Sequence, residues 1–591
     1  FSLQNHNKYK RNEVQQVKRY WKYIRPYIQY YILGPCFMMM EVVGDVLLPY
    51  MLAKIINQGI AERNVVYIIK IGAIMGFIAV IMAVGGVLGA WFASKAAMNF
   101  GADLRMDLFE KIQQFSFQNI DNFSTGSLIT RLTNDITQIQ NMIMMTLRMC
   151  LRSPGILIGA MVMAFVISPK LAAIFIIVLP VLAVLIVVIM RRAFPQFRTL
   201  QEKLDALNSC IQEGLVGIRL IKSFVRGDYE EMRFEKRNQQ LKEANLTAMK
   251  TMLLYTPLMT LALNITTVVV VWSGGNMIVA GNMQVGDLTA FTNYIVQIMS
   301  SLTMLSIAFL NWARAIASFR RVGEVLDEKI DLTDENAKHK DRAVCEGSVE
   351  FQNVSFRYYK NSPEWVIENI SFKLEAGKTL GIIGSTGSGK STLVSMIPRL
   401  YDTDEGTVLV DGINVRDYGL KPLREGIGMV LQNNTLFSGS ITENLKWGDE
   451  HADEKAVRKA AQNAQAAGFI DSFKDGYRTR LEQSGNNVSG GQKQRLCIAR
   501  ALLKCPKILI LDDSTSAVDT ATERAIREAL HSEYKDMTKI IIAQRIRSVM
   551  DADEILVLDN GKTAGFGTHE QLLADCPVYR EIYDVQNGRE E

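Results

Sequence analysis

A chain of 591 residues is too long for one hydrophobic core and predicts at least two domains. Its formal net charge of +5 is small for that length, which argues against a nucleic-acid partner. Seven cysteines, an odd number with no C-x-x-C pair, argue against a disulfide framework or a zinc site and fit soluble parts in a reducing cytosol.

The mean hydropathy of +0.07 averages two unlike halves, an oily first half and a second that reads as a soluble α/β domain. The first 28 or so residues are mostly polar, with Lys8, Lys10, Arg11, Lys18, Arg19, Lys22 and Arg25 among them. No cleavable signal is expected before the first span, and the positive-inside rule places this stretch, with an elbow at about 14–28, on the cytosolic face. A membrane helix needs about 20 mostly apolar residues. Leu171 to Met190 and Ile71 to Ala93 meet that without a charge, and Thr251 to Val285 is longer still. Weaker stretches near 29–57, 139–168 and 288–318 bring the expected number of spans to six. The connections near 95–138 and 191–247 are long, helical in pattern and rich in Arg and Lys, so they are expected to extend the helices into the cytosol and leave both termini there.

Within the spans, Glu41 and Asp45 lie one turn apart, as do Arg148 and Arg152. Charges at this depth face a bundle interior or a watery cavity and mark candidate substrate-pathway groups. The alternatives are simple pairing and arginines that snorkel to an interface. Methionines at 38–40, 142, 144, 145 and 149 are either lipid-facing filler or the lining of an adaptable apolar pocket.

The transmembrane domain is expected over 1–326 and a charged linker over 327–347. From 348 to 591, β-rich runs alternate with helical ones, the pattern of a parallel α/β core. Leu380-Gly381-Ile382-Ile383 reads as a buried strand. It leads into Gly384, Ser385, Thr386, Gly387, Ser388, Gly389, Lys390, Ser391 and Thr392 before an apolar helix. The spacing G-x-x-x-x-G-K-S between strand and helix is a P-loop. Its glycines let backbone N–H groups wrap the phosphates of ATP, Lys390 reaches the β- and γ-phosphates, and Ser391 ligates Mg²⁺. A second apolar strand, Lys507 to Leu511, ends in Asp512-Asp513, whose first carboxylate supports the Mg²⁺ shell.

Val488-Ser489-Gly490-Gly491-Gln492 closely matches the signature sequence of ABC transporters. With this run the chain resembles that family over its whole length, as the half-transporter of a type IV exporter. The fold implied is a membrane bundle of six helices with long cytosolic extensions joined to an α/β P-loop nucleotide-binding domain. By the same resemblance Tyr358 stacks on adenine, Gln432 is the Q-loop residue and a further Mg²⁺ contact, and Asp519 closes the D-loop. The signature Ser489, Gly490, Gly491 and Gln492 would contact the ATP of an opposing chain. Amphipathic turns near Ser116–Gly126 and Gln212–Lys222 would be the coupling helices.

Two positions depart from the family pattern. Asp513 stands where the hydrolytic base is Glu, and Gln544 where the switch residue is His; the five histidines lie elsewhere. A carboxylate one methylene shorter sits back from the attacking water, and an amide does not titrate near neutral pH. Together these imply a degenerate, poorly hydrolysing ATP site in one subunit of a heterodimeric multidrug exporter. The expected partner is a second, non-identical ABC half-transporter, with small amphipathic substrates moved out across the cytoplasmic membrane of a bacterium and membrane lipid as surroundings. The alternatives are a homodimeric lipid or peptide exporter in which Asp513 still acts as the base, an ATP-gated channel or regulator, and an importer.

Overall fold

The computed structural model describes residues 19–360 and 362–587. Lys8, Lys10, Arg11, Lys18 and the start of the expected elbow lie outside these. The chain forms two compact units, one of residues 1–113 with 126–327, the other of 114–125 with 328–591.

Among the described residues the first unit is all helix, its longer helices being α1 (Ile28–Lys54), α2 (Val65–Gln113), α3 (Ile136–Met149), α4 (Arg152–Ile167), α5 (Pro169–Val216), α6 (Gly227–Leu253), α7 (Tyr255–Val279) and α8 (Val285–Asp327). Five helical stretches among the described residues are long and apolar enough to cross a membrane. The sixth expected segment, 288–318, lies within α8. In lipid every backbone group must be satisfied within the segment, so uninterrupted helices are the natural outcome of such apolar runs. Close helix approach then depends on small residues. On α2, Gly85, Gly89 and Ala93 form a buried stripe facing α1. A Cβ at Gly85 would come within 3.0 Å of the Phe37 carbonyl, and one at Gly34 within 3.3 Å of the Ala93 nitrogen. Nearer the end of α8, the fully buried Asp135 accepts hydrogen bonds from Ser318 Oγ and Arg321 Nε, both at 2.8 Å.

The second unit carries two main sheets, besides a short antiparallel pair of Gly439–Ser440 with Arg480–Leu481. An antiparallel sheet has the order β2–β1–β4–β5, with β1 Val349–Phe356, β2 Ile367–Leu374, β4 Glu405–Val410 and β5 Ile413–Asn414. A six-stranded sheet runs β10–β9–β3–β8–β7–β6. It is built from β3 Thr379–Gly384, β6 Ile427–Val430, β7 Ile508–Asp512, β8 Thr538–Ile542, β9 Glu554–Asp559 and β10 Lys562–Gly567. All its pairings are parallel except β9 with β10. Both faces of this sheet are covered, which explains why β3 and β7 read as continuous apolar runs with no alternation. The carboxyl ends of β3, β7 and β8 lie side by side, so Gly384, Asp512 and the segment after Ile542 emerge at one edge.

Candidate functional site

The loop between β3 and helix α9 (Lys390–Ser395) depends on its glycines. Gly387 and Gly389 adopt φ of 86° and 88°, a region costly for residues with a Cβ. Gly389 has a second reason: an added Cβ would lie 2.6 Å from Ile367 Cγ2 and 2.9 Å from the Val366 carbonyl. Lys390 Nζ donates to the carbonyls of Gly384 at 2.9 Å and Ser385 at 2.7 Å, and to Ser388 Oγ at 3.4 Å. Burial pushes its ammonium pKa down, opposed by the carboxylates of Asp512 and Asp513. Thr392 Oγ1 shares a 2.9 Å hydrogen bond with the Tyr358 hydroxyl, tying the aromatic ring to α9.

Ser391 Oγ donates to Asp512 Oδ1 at 2.9 Å. Burial raises the Asp512 carboxyl, Ser391 opposes this, and the neighbouring Asp513 adds to it. A serine hydroxyl beside a carboxylate, with the Gln432 amide oxygen available, is a set of hard oxygen donors that fits Mg²⁺. No group of three or more His, Cys, Asp or Glu side chains among the described residues could hold a metal alone.

Asp513 turns the chain after β7 with a left-handed φ of 46°. Its N–H donates to the Ile542 carbonyl at 3.1 Å, and its Oδ2 accepts from Gln544 Nε2 at 2.9 Å. Burial raises its carboxyl, while the Gln432 side chain, Lys390, Gln544 and Arg545 favour the charged form. The two residues that depart from the family pattern therefore bond each other.

The signature is organised as a helix start. Ser489 caps α10 (Gly490–Leu503) in a reciprocal box with Gln492. Gly491 packs so closely that an added Cβ would be 2.8 Å from the Ala517 carbonyl. Gln494 joins α10 to the segment after Asp513, donating to Ser516 Oγ at 3.2 Å and accepting from the Ala517 N–H at 3.0 Å. No hydrogen bond joins Ser489, Gly490, Gly491 or Gln492 to the Gly384–Thr392 loop among the described residues. Asp519 caps α11 (Thr520–Glu533), and the Thr522 N–H first among its donors holds its carboxyl below the usual range.

Three contacts have no counterpart in the sequence reading. Gln586, on the C-terminal helix α12 (Pro577–Asn587), donates to the Gln544 carbonyl at 2.8 Å and accepts from the Ile546 N–H at 2.8 Å. It thus brackets the segment that carries Gln544. Tyr401 donates to Asp121 Oδ2 at 3.0 Å and stands edge-on to Tyr358 with centroids 5.3 Å apart. Asp121 belongs to the short helix Phe117–Asp121, inside the expected first coupling segment, and this stretch clusters with the second unit. Asn119 on the same helix is fully buried and donates to the Lys329 carbonyl at 2.9 Å and to Asp331 Oδ2 at 3.2 Å.

In the membrane unit, Arg152 Nη2 reaches Glu41 Oε1 at 2.8 Å and Asp45 Oδ2 at 3.5 Å, while Arg148 is exposed. Three of the four intramembrane charges thus form one cluster that links α1 to the start of α4. Replacing Arg152 by Met strands two carboxylates together. It is expected to cost about 1–3 kcal/mol, at the low end of buried-pair disruptions because the groups are a quarter exposed. Thermal unfolding in detergent should show a lowered midpoint, partly restored by adding Glu41→Gln. An unchanged midpoint would show that the cluster contributes nothing to stability.

Comparison with known proteins matches residues 31–302 to the ABC transporter transmembrane region and 367–516 to the ABC transporter family. The chain is 39% identical over 568 residues to the uncharacterized ABC transporter ATP-binding protein YfiB of Bacillus subtilis, covering 96% of this chain and 98% of that one. It is 36% identical to the uncharacterized ABC transporter ATP-binding protein Rv1273c of Mycobacterium tuberculosis, covering 96% and 97%. A solved structure of a bacterial Atm1-family ABC exporter with ATP bound superposes with a TM-score of 0.79. It spans 95% of this chain and 98% of that one at 24% identity. This match corrects the expectation of a degenerate-site multidrug subunit that needs a second, non-identical half-transporter. The local geometry supplies the physical reason. Asp513 still presents a carboxylate at the end of β7, held by Gln544, so the shorter side chain is accompanied by its own positioning group.

Proposed function

We propose, from the premise that this chain belongs to the ABC transporter family, that it is an ATP-driven exporter working as a pair of like chains, with Asp513 as the base at each ATP site. Its multi-pass transmembrane region is of the kind found in plasma-membrane ABC transporters, and its ATP-binding domain is of the class that couples hydrolysis to transport. The observation that carries the reading is the Asp513 carboxylate bonded by Gln544 beside the Ser391–Asp512 pair.

In this reading the Gly384–Thr392 loop and Lys390 bind the ATP phosphates, and Tyr358 receives the base. Mg²⁺, when bound, supplies charge neutralisation at the phosphates, with Ser391, Asp512 and Gln432 holding it. Asp513 accepts the proton of the attacking water, and Gln544 fixes the carboxylate's orientation. Ser489 to Gln492 of the second copy complete the site, with Asp519 beside it. The turn after α5 supports a second chain: Val216, Leu220, Phe224 and Val225 are large apolar side chains all more than 60% exposed. Glu41, Asp45, Arg148 and Arg152 are assigned to the substrate pathway. The expected division is a transmembrane domain over 1–326, a linker over 327–347 and a nucleotide-binding domain over 348–591.

The decisive experiment is to purify the chain alone in nanodiscs and measure its mass and ATP turnover. A dimer with turnover in the ordinary enzyme range of about 1 s⁻¹ or more is expected. Nucleotide binding without turnover, with activity only in a mixture with a different chain, would overturn the reading.

A further inference from the structure

The second unit holds a cleft of about 810 Å³ on the far side of the Gln544 segment, between α11, β8, the Ile546–Ser548 turn and α12. Its size is within the range of small-molecule sites. Its walls carry Arg524, Arg527, Lys539 and Arg547 against Glu528 and Asp551. Arg527 Nη1 is occupied, donating to the Arg547 carbonyl at 2.7 Å and to Asp551 Oδ2 at 3.1 Å.

Two donors in this cleft are unmatched. Lys539 is only 4% exposed, yet its ammonium makes no hydrogen bond or ion pair among the described residues, with Asp536 and Asp553 only as more distant charges. Burial accordingly pushes its pKa down. Arg527 Nε is buried with no partner. An unmatched buried donor such as Arg527 Nε carries a desolvation cost. Four cations against two carboxylates leave an excess of two positive charges, and guanidinium forks suit phosphate oxygens.

We propose that this cleft is a second anion site that binds a small phosphate-bearing molecule, separate from the ATP site. Lys539 and Arg527 form its floor and Arg524 its rim. The cleft shares its wall with the switch segment, because Ile546 is fastened to Gln586 and Arg547 Nη2 reaches Asn587 Oδ1 at 3.4 Å on the same helix. A ligand here would therefore bias how firmly α12 holds Gln544. Binding itself is independent of the reading of Asp513 as base; only the effect on turnover rests on it.

The test uses the full chain in nanodiscs, with the P-loop saturated by Mg²⁺ and a non-hydrolysable ATP analogue, titrated with inorganic pyrophosphate by calorimetry. One saturable site per chain is expected, weakened about tenfold or more by Lys539→Met and by the exposed Arg524→Glu, the scale of losing one charge-assisted contact. Asp513→Asn should leave pyrophosphate affinity unchanged, so failure of the base assignment would be seen separately. The proposal is overturned by absence of saturable binding, by affinity unchanged in Arg524→Glu, or by displacement of pyrophosphate on raising the ATP analogue.

Discussion

Asparagine in place of Asp513 is expected to lower ATP turnover by about 10²–10⁴-fold while leaving nucleotide affinity close to wild type. The substitution keeps the shape and can still accept a hydrogen bond from Gln544 Nε2, which now spans 2.9 Å to Oδ2. What it removes is the capacity to take a proton from water. The loss should therefore fall on kcat, with little change in the apparent affinity for ATP, since the Gly384–Thr392 loop and Lys390 bind the phosphates. Steady-state ATPase with a parallel nucleotide titration separates the two. A variant that hydrolyses within about threefold of wild type would remove Asp513 from the role of base and point to substrate-assisted hydrolysis instead.

What could be read from the chain follows the distance over which each feature is built. The P-loop is a local object: a buried strand, glycines at fixed offsets and a lysine at a helix start, all within about a dozen residues. The signature is local too, since Ser489 and Gln492 cap one another. The apolar helices follow from composition alone. Contacts that join distant segments were invisible. Gln586 lies 42 residues from Gln544, Tyr401 lies 280 from Asp121, and neither residue stands out by type or periodicity. The mistaken inference of a crippled site has the same origin. Along the chain Asp513 and Gln544 read as two independent losses, yet across 31 residues of sequence they are joined by a hydrogen bond. An aspartate reaches less far than a glutamate, but a glutamine amide can hold its carboxylate in place, and only the fold brings the two together. Arg152 shows the reverse case. Its charge is legible from the sequence, but only the fold shows that it pairs with Glu41 and Asp45 on α1.

The assembly of like chains makes a second strong prediction, in which two inactive variants restore one another. Lys390→Ala removes the ammonium from the phosphate loop. Ser489→Asp keeps an N-cap for α10, because Asp caps as well as Ser, but sets a negative charge where the opposing γ-phosphate would lie. Each variant alone has both sites damaged and is expected to lose about 10²-fold or more in ATPase. In a mixed dimer, one site combines the Ser489→Asp chain's intact Lys390 with the other chain's intact signature. Random pairing of equal amounts then leaves about a quarter of all sites whole. Co-expression with two different tags and tandem purification isolates the mixed dimer, where half the sites are whole. Recovered turnover there, with none in either homodimer, would establish that Ser489–Gln492 act across a contact between two copies of this chain. Full activity in the Ser489→Asp homodimer would show that the signature does not touch nucleotide. A mixed dimer as inactive as its parents would show that the two sites must both be whole, or that the chain does not complete its own site in a second copy.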